Sequence, residues 1–275
     1  MKQLALSNYH YVYYSFEFFL RSMREFNCKK IELYAASPHL SIQDADNSQI
    51  KRIAENLRSE GINVCCLTQE QCLYPINIAS EDFNIRARSI RSFIRCLEIA
   101  DMIGSPKILV TPGRGCLDFS REEAWKRSAD ALHILSEKAA RYGITLLLEG
   151  VSHMSTNLVT TADEAIAMLN EVSQPNLQSM LDICVLFREN QDLVSSINTL
   201  GPFLKHIHLS DYHQGNRYAL GDGALPLAEF IQALCAAGYT DDIALEVMNH
   251  IYDSNPHDCT ERCVSYWNRI LSRRV

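Results

Sequence analysis

Gly143-Ile144-Thr145-Leu146-Leu147-Leu148-Glu149-Gly150 sets five apolar or β-branched residues in a row, then a carboxylate followed by glycine. A short unbroken apolar run fits a strand buried on both faces, the kind found in parallel sheets. A glutamate ending such a strand carries its charge at the rim of a dry core, where it needs a partner. The arrangement returns three times. Gln178-Ser179-Met180-Leu181-Asp182 ends on Asp182, Lys205-His206-Ile207-His208 on His208, and Asp242-Ile243-Ala244-Leu245-Glu246 on Glu246. A lone acid after an apolar run is usually a helix cap or a solvated loop residue. Here each gap accommodates one strand–loop–helix–loop unit, so the four side chains recur with the period of the fold. Neighbouring strands lie roughly 4.8 Å apart, close enough for four such residues to converge on one cation. The pattern predicts a metal site built from Glu149, Asp182, His208 and Glu246.

The rest of the chain alternates in the same way. Strands are expected at 4–6, 30–34, 62–67 and 107–110, ahead of the four ending in the candidate ligands. Helices are expected over 15–26, 50–59, 81–103, 161–172, 191–200, 225–237 and 259–271. Another opens at the capping box Ser120-Arg121-Glu122-Glu123 and runs to Arg141. Eight strands and eight helices in strict alternation, in a chain of 275 residues, predict a single (β/α)8 barrel occupying 1–275 as one domain. An open doubly wound sheet usually carries a glycine-rich turn after its first strand, and Ser7-Asn8-Tyr9-His10 has no glycine.

Composition narrows the function. There are 26 basic and 33 acidic residues, a net charge of −7, which argues against a nucleic-acid partner. No apolar run approaches the roughly 18 residues of a membrane span, and no charged-then-apolar signal pattern opens the chain. Ten cysteines at irregular spacing, none in a CxxC pair, then read as reduced thiols of a cytoplasmic protein. The oligomeric state is left open, a homo-oligomer included.

In such barrels the loops at the carboxyl ends of the strands build the active site, and all four candidate ligands end their strands. Three oxygen donors and one imidazole suit one divalent cation, Mn²⁺ first, with Mg²⁺, Co²⁺ or Zn²⁺ as alternatives. Cys184, two residues beyond Asp182, reads as core packing. A metal that prefers six ligands keeps two places for a sugar carbonyl and its neighbouring hydroxyl. One glutamate could then take a C–H proton and another, on the opposite side, return it through an enediolate.

At these residues the chain resembles the xylose-isomerase-like barrels of sugar epimerases and isomerases, and within them the fructoselysine and ketose 3-epimerases. The likeness is densest at Thr68-Gln69-Glu70 with Tyr74-Pro75-Ile76-Asn77, at Gln178 through Asp182-Ile183-Cys184, and at Lys205 through Asp211 and Tyr218 to Gly221-Asp222-Gly223. The resemblance implies that Glu149, Asp182, His208 and Glu246 hold the metal, with Glu149 and Glu246 as the acid/base pair. It also implies Arg217 as a basic residue at the substrate. Two positions depart from the enzymes of simple ketoses. Val185 stands where those carry a histidine, and Ser155 where they carry a glutamate. The expected substrate is therefore a ketose or ketosamine, fructoselysine-like, epimerised at C3, with Glu70, Asn77 and Ser155 as further contacts. Aldose–ketose isomerisation on the same site is the alternative. An apurinic endonuclease-type metallohydrolase is disfavoured, because no histidine stands at Cys66–Glu70, Thr111–Gly115 or Val185. His206 is expected as a hydrogen-bonded core histidine, one layer below His208.

Overall fold

The described residues form ten strands, and eight of them are largely runs of aliphatic and β-branched residues. They are β1 (Leu6–Ser7), β2 (Lys30–Ala35), β3 (Asn63–Gln69), β4 (Lys107–Val110), β5 (Thr145–Glu149), β6 (Leu177–Asp182), β7 (Leu204–Leu209), β8 (Asp211–His213), β9 (Asn216–Tyr218) and β10 (Asp242–Leu245). All but β8 and β9 lie in one sheet with parallel neighbours in chain order. The two ends of that sheet meet: Ala5 N–H donates to Ile243 O at 2.8 Å and Leu245 N–H to Ala5 O at 2.9 Å. The result is the predicted barrel. The computed structural model describes residues 4–71 and 76–272; Tyr74 and Pro75 of the quoted motif lie outside them.

The helices are α1 (Phe16–Glu25), α2 (Asn47–Ser59), α3 (Phe83–Ile103), α4 (Arg121–Ala140), α5 (Ala162–Val172), α6 (Ile183–Arg188), α7 (Leu193–Leu200), α8 (Leu227–Ala236) and α9 (Pro256–Ser272). Ser15, Asp46, Asp82, Ser120, Thr161 and Asp192 each cap a helix by accepting a first-turn N–H. Gly104 ends α3 at φ 74°, a left-handed position that glycine takes without cost. No helix among the described residues is long and apolar enough to cross a membrane.

Strict alternation fails in two places. Asp182 ends β6 and at once caps α6, accepting Cys184 N–H at 2.8 Å and Val185 N–H at 3.3 Å. That helix stops at the left-handed Asn190 and α7 restarts from Asp192, so two helices follow β6 instead of one. The connection from β7 to α8 was expected as loop. It folds instead as the antiparallel hairpin β8–β9, turned by Gln214 and Gly215, both at positive φ. The first strand also starts later than expected, at Leu6, with Ala5 joined to it only by the closing bridge.

Alternation along the strands stacks the barrel interior in layers. At the amino end, Asp242 accepts from Lys30 Nζ at 2.5 Å and Lys107 Nζ at 3.0 Å. Above it Ala5, Cys65, Cys66, Leu109, Leu147, Met180 and Ala244 form a small apolar cluster separate from the main core. Glu32, Thr68 and His206 come next, all buried. The four candidate ligands close the carboxyl end. Register explains their convergence: Glu149 pairs with Met180, Asp182 with His208, and His208 with Ala244. The strands are staggered, so side chains from successive strand ends step around the mouth rather than stacking in one row.

Candidate metal centre

Glu149, Asp182, His208 and Glu246 are all buried, as carboxylates and imidazole at a strand end lining a closed barrel must be. Glu149, Asp182 and His208 each offer a ligand atom within 4.8 Å of the other two. Glu246 follows β10 directly, with its N–H on Leu209 O at 3.0 Å and its Oε2 3.3 Å from His208 Nδ1. Glu149 Oε1 lies 3.9 Å from the same nitrogen. Burial pushes the Glu149 carboxyl up to about 8, helped by the charges of Glu246 and Asp182 and opposed by His208. Burial works against ionised Asp182 too, but Arg217 overrules it and holds that carboxyl below its ordinary range.

One residue that sequence reasoning missed organises this arrangement. Glu32, in the middle of β2, is fully buried and accepts on both oxygens. His206 Nε2 lies 2.6 Å from Oε2, His208 Nε2 2.9 Å from Oε1, and Thr68 Oγ1 donates to Oε1 at 2.7 Å. Tyr9 OH donates to Oε1 at 3.3 Å. Burial would keep Glu32 protonated, yet the two histidines hold it well below the usual carboxylate range. An ionised carboxylate can only accept, so His208 Nε2 carries its proton. That fixes the ring and turns Nδ1 towards Glu149 and Glu246. This Nδ1 is buried and has no hydrogen-bond partner. A carboxylate behind a ligating histidine is the usual way a protein orients an imidazole for a metal. The donor set therefore fits a divalent cation: three carboxylates and an orphaned imidazole nitrogen within a few ångströms. The signal in the sequence was Ile31-Glu32-Leu33, an acid inside an apolar run, since a buried charge is the informative exception.

The structure also brings Arg217 to the site. The residue rides on β9, its carbonyl accepting from Asn249 Nδ2 at 2.7 Å, and its guanidinium reaches over the mouth. Nη1 lies 2.6 Å from Glu246 Oε2 and 3.2 Å from Asp182 Oδ1, and Nη2 pairs with Asp182 Oδ2. Glu70 lines the cavity and accepts from Tyr34 OH. His206 is a core histidine beneath His208, as expected. Cys184 is buried against Ser210 Oγ at 3.1 Å, and burial pushes its thiol up to about 12.

Other expected contacts lie elsewhere. Asn77 spends its side chain on loops: Nδ2 donates to Arg114 O at 2.8 Å, and Oδ1 accepts from Arg114 N–H at 2.9 Å and Ala79 N–H at 3.0 Å. It staples the loop after β3 to the loop after β4. Ser155 is exposed in a turn closed by its own N–H on Ser152 O at 2.8 Å. Val185 is buried in α6 and lines a crevice behind Asp182, not the mouth. The Gly221-Asp222-Gly223 loop is a turn folded on Asp211, which accepts Gly221 N–H at 2.9 Å.

Above the candidate ligands is a cavity of about 250 Å³, floored by Glu149, His208 and Glu246. Tyr9 and Tyr34, stacked with ring centroids 4.4 Å apart, form one wall. A small polyol fits such a space, with carboxylates on its floor and an aromatic side against which a sugar ring can pack.

Residues 20–266 match the model of the xylose isomerase-like TIM barrel family. Over 253 residues the chain is 26% identical to fructoselysine 3-epimerase of Escherichia coli O157:H7, covering 91% of this chain and 92% of that one. It is 28% identical over 183 residues to L-ribulose 3-epimerase of Mesorhizobium japonicum, covering 65% and 61%. The solved structure of an L-ribulose 3-epimerase superposes with a TM-score of 0.79 at 25% identity, over 95% of this chain and 86% of that one.

Proposed function

This chain belongs to the xylose isomerase-like TIM barrel family, and from that premise we propose that it is a divalent-metal-dependent sugar epimerase, one catalytic barrel over 1–275, inverting C3 of a ketose or ketosamine of the fructoselysine type. The observation that carries the reading is the orphaned His208 Nδ1, fixed by Glu32 and facing Glu149 and Glu246. The full-length likeness to a fructoselysine 3-epimerase supports it. Glu149, Asp182, His208 and Glu246 hold the metal in this reading, and the oxygen-rich set favours Mn²⁺ over a thiolate-type zinc site. The bound cation supplies Lewis-acid polarisation of the sugar carbonyl, which acidifies the neighbouring C–H.

The protein's own groups do the rest. Glu149 and Glu246 enter the mouth from different strands, β5 and the end of β10, with the strands of Asp182 and His208 between them. A ketose held between them presents opposite faces of C3 to the two carboxylates. One takes the proton and the other returns it, which inverts the carbon. Arg217 stands beside Asp182 and Glu246, placed to donate to a substrate oxygen while balancing the acidic floor. Tyr9, Tyr34 and Leu109 keep the cavity wall apolar and limit water at the carbanion.

Epimerisation in D₂O, followed by NMR of the product, tests the reading. One deuterium at C3 and none at C1 is expected. An aldose product carrying deuterium at C2, with deuterium entering C1 of the recovered ketose, would mark an isomerase instead.

A further inference from the structure

The β8–β9 hairpin that carries Arg217 stands outside the barrel sheet, with three residues in each strand. A lone two-stranded hairpin is at best marginally stable in water, so its neighbours must hold it. On one side is α6, which opens at Asp182. Arg188 Nη2 donates to Gly215 O at 3.2 Å, at the hairpin turn, and its guanidinium lies 5.6 Å from the centre of the Tyr212 ring. Phe187 meets the same ring edge-on, with centroids 6.2 Å apart. On the other side is the segment that follows Glu246. Asn249 Nδ2 donates to Arg217 O at 2.7 Å, and Tyr252 OH accepts Ala219 N–H at 2.9 Å.

Each support therefore begins at a candidate ligand, and the guanidinium of Arg217 bridges the same two, Asp182 and Glu246. Of these supports, the bond from Asn249 falls on the backbone of Arg217 itself. The orientation of Asn249 is fixed from its other end. Its Oδ1 accepts Ile251 N–H at 3.2 Å and caps the short turn His250–Tyr252, which leaves the amide nitrogen facing β9. An arginine side chain has many rotamers to lose, and the backbone it leaves from decides first what its guanidinium can reach. A shift of about an ångström in such a group is enough to cost rate or affinity.

We propose that Asn249 is a positioning residue for Arg217: by fixing the β9 carbonyl it sets the guanidinium over the Asp182–Glu246 side of the mouth, where it meets a substrate oxygen. The proposal rests on the epimerase reading for what Arg217 then contacts. A tether that merely stapled two loops together would act on the fold and not through Arg217. The two roles separate when Arg217 is removed, because a positioning residue has nothing left to position.

Calorimetric binding of D-fructose, the sugar common to both substrate classes of that reading, to the full-length, Mn²⁺-loaded protein tests this. Asn249→Ser keeps an oxygen able to cap the turn, adds no charge, and is too short to reach Arg217 O. It should weaken fructose binding roughly threefold to tenfold, and Arg217→Met by roughly tenfold or more, the scales of a neutral and a charged hydrogen bond. The double variant should bind no more weakly than Arg217→Met alone, the signature of two residues acting as one. Losses that add, fructose binding unchanged in Asn249→Ser, or no binding of fructose to the parent overturns the proposal. Binding is read without turnover, so the two readings fail separately. Non-additive losses in a protein that places no deuterium at C3 keep the role of Asn249 and sink the epimerase, and deuterium at C3 with additive losses does the reverse.

Discussion

At the scale of single residues, the two glutamates of the site differ from Asp182 and His208 in what their loss should do. Glu149→Gln or Glu246→Gln keeps an oxygen for the metal and removes the base. Each should cost roughly a hundredfold or more in kcat, the usual scale of general acid–base catalysis, and far less in Mn²⁺ affinity. A Gln variant that turns over at the parent rate would reduce that glutamate to a ligand. His208→Ala and Asp182→Ala should instead abolish binding of the single Mn²⁺ expected per chain, read by elemental analysis after dialysis. The pH dependence has a definite sign. The Glu149 carboxyl is pushed up to about 8 by burial, and burial's opposite pull on the His208 imidazole is outweighed by Glu32 and Glu246, which hold it well above its ordinary value. In the proposed reading both protons stand where the cation would coordinate. Metal binding therefore competes with protons, and below pH 8 affinity should fall by about tenfold or more per unit. Titrations of Mn²⁺ at pH 6.5 and 8.5, in buffers of different ionisation enthalpy, would show both the weakening and the released protons.

At the scale of elements, β5, β6, β7 and β10 were legible because each is an apolar run ended by a polar ligand type. That contrast survives in a single sequence. Some helices with a side-chain cap, α4 from Ser120 and α5 from Thr161, were legible to within a residue for the same reason, whereas α2, capped by Asp46, opens three residues before the expected position 50. The α6–α7 break was not. The sequence marks Asp182 as a ligand, and nothing local says that its carboxylate also caps a helix. The β8–β9 hairpin was missed because its strands are three residues each, too short for alternation to register. Asn77 illustrates a different limit. A polar loop residue near a site can face the ligand or bind backbone, and only the fold decides. The base of the barrel escaped notice likewise, since Lys30, Lys107 and Asp242 meet only after three distant strands curl together. Asp242→Ala would leave Lys30 and Lys107 side by side without their shared carboxylate, and should cost about 2–4 kcal/mol in urea unfolding at pH 7. Burial would raise the Asp242 carboxyl, but the two lysines hold it below its ordinary range. A carboxylate depressed in the folded state adds stability above its unfolded pKa, and that stability is lost as pH falls through the folded value. The gap between parent and variant should accordingly narrow once the pH drops below about 4.

At the scale of the whole molecule, the site depends on the barrel being closed. β1 is two residues long, and closure rests on Ala5 against β10 with Ser7 Oγ donating to Leu245 O. Leu245, which immediately precedes Glu246, is held by Ala5 and Ser7, while the N–H of Glu246 itself is held by Leu209 O of β7. The first strand of the chain thereby positions a residue near its far end. Ala5→Pro removes the N–H that donates to Ile243 O while keeping the Ala5 carbonyl that accepts from Leu245. It should cost about 1–3 kcal/mol in stability. If closure sets Glu246, Mn²⁺ affinity should fall as well, although residue 5 touches no candidate ligand. Denaturant unfolding of the metal-free protein and Mn²⁺ titration at a temperature where both proteins are folded separate the two effects. Lower stability with unchanged affinity would mean that β5, β6 and β7 suffice to hold the centre, and that closure serves the barrel alone.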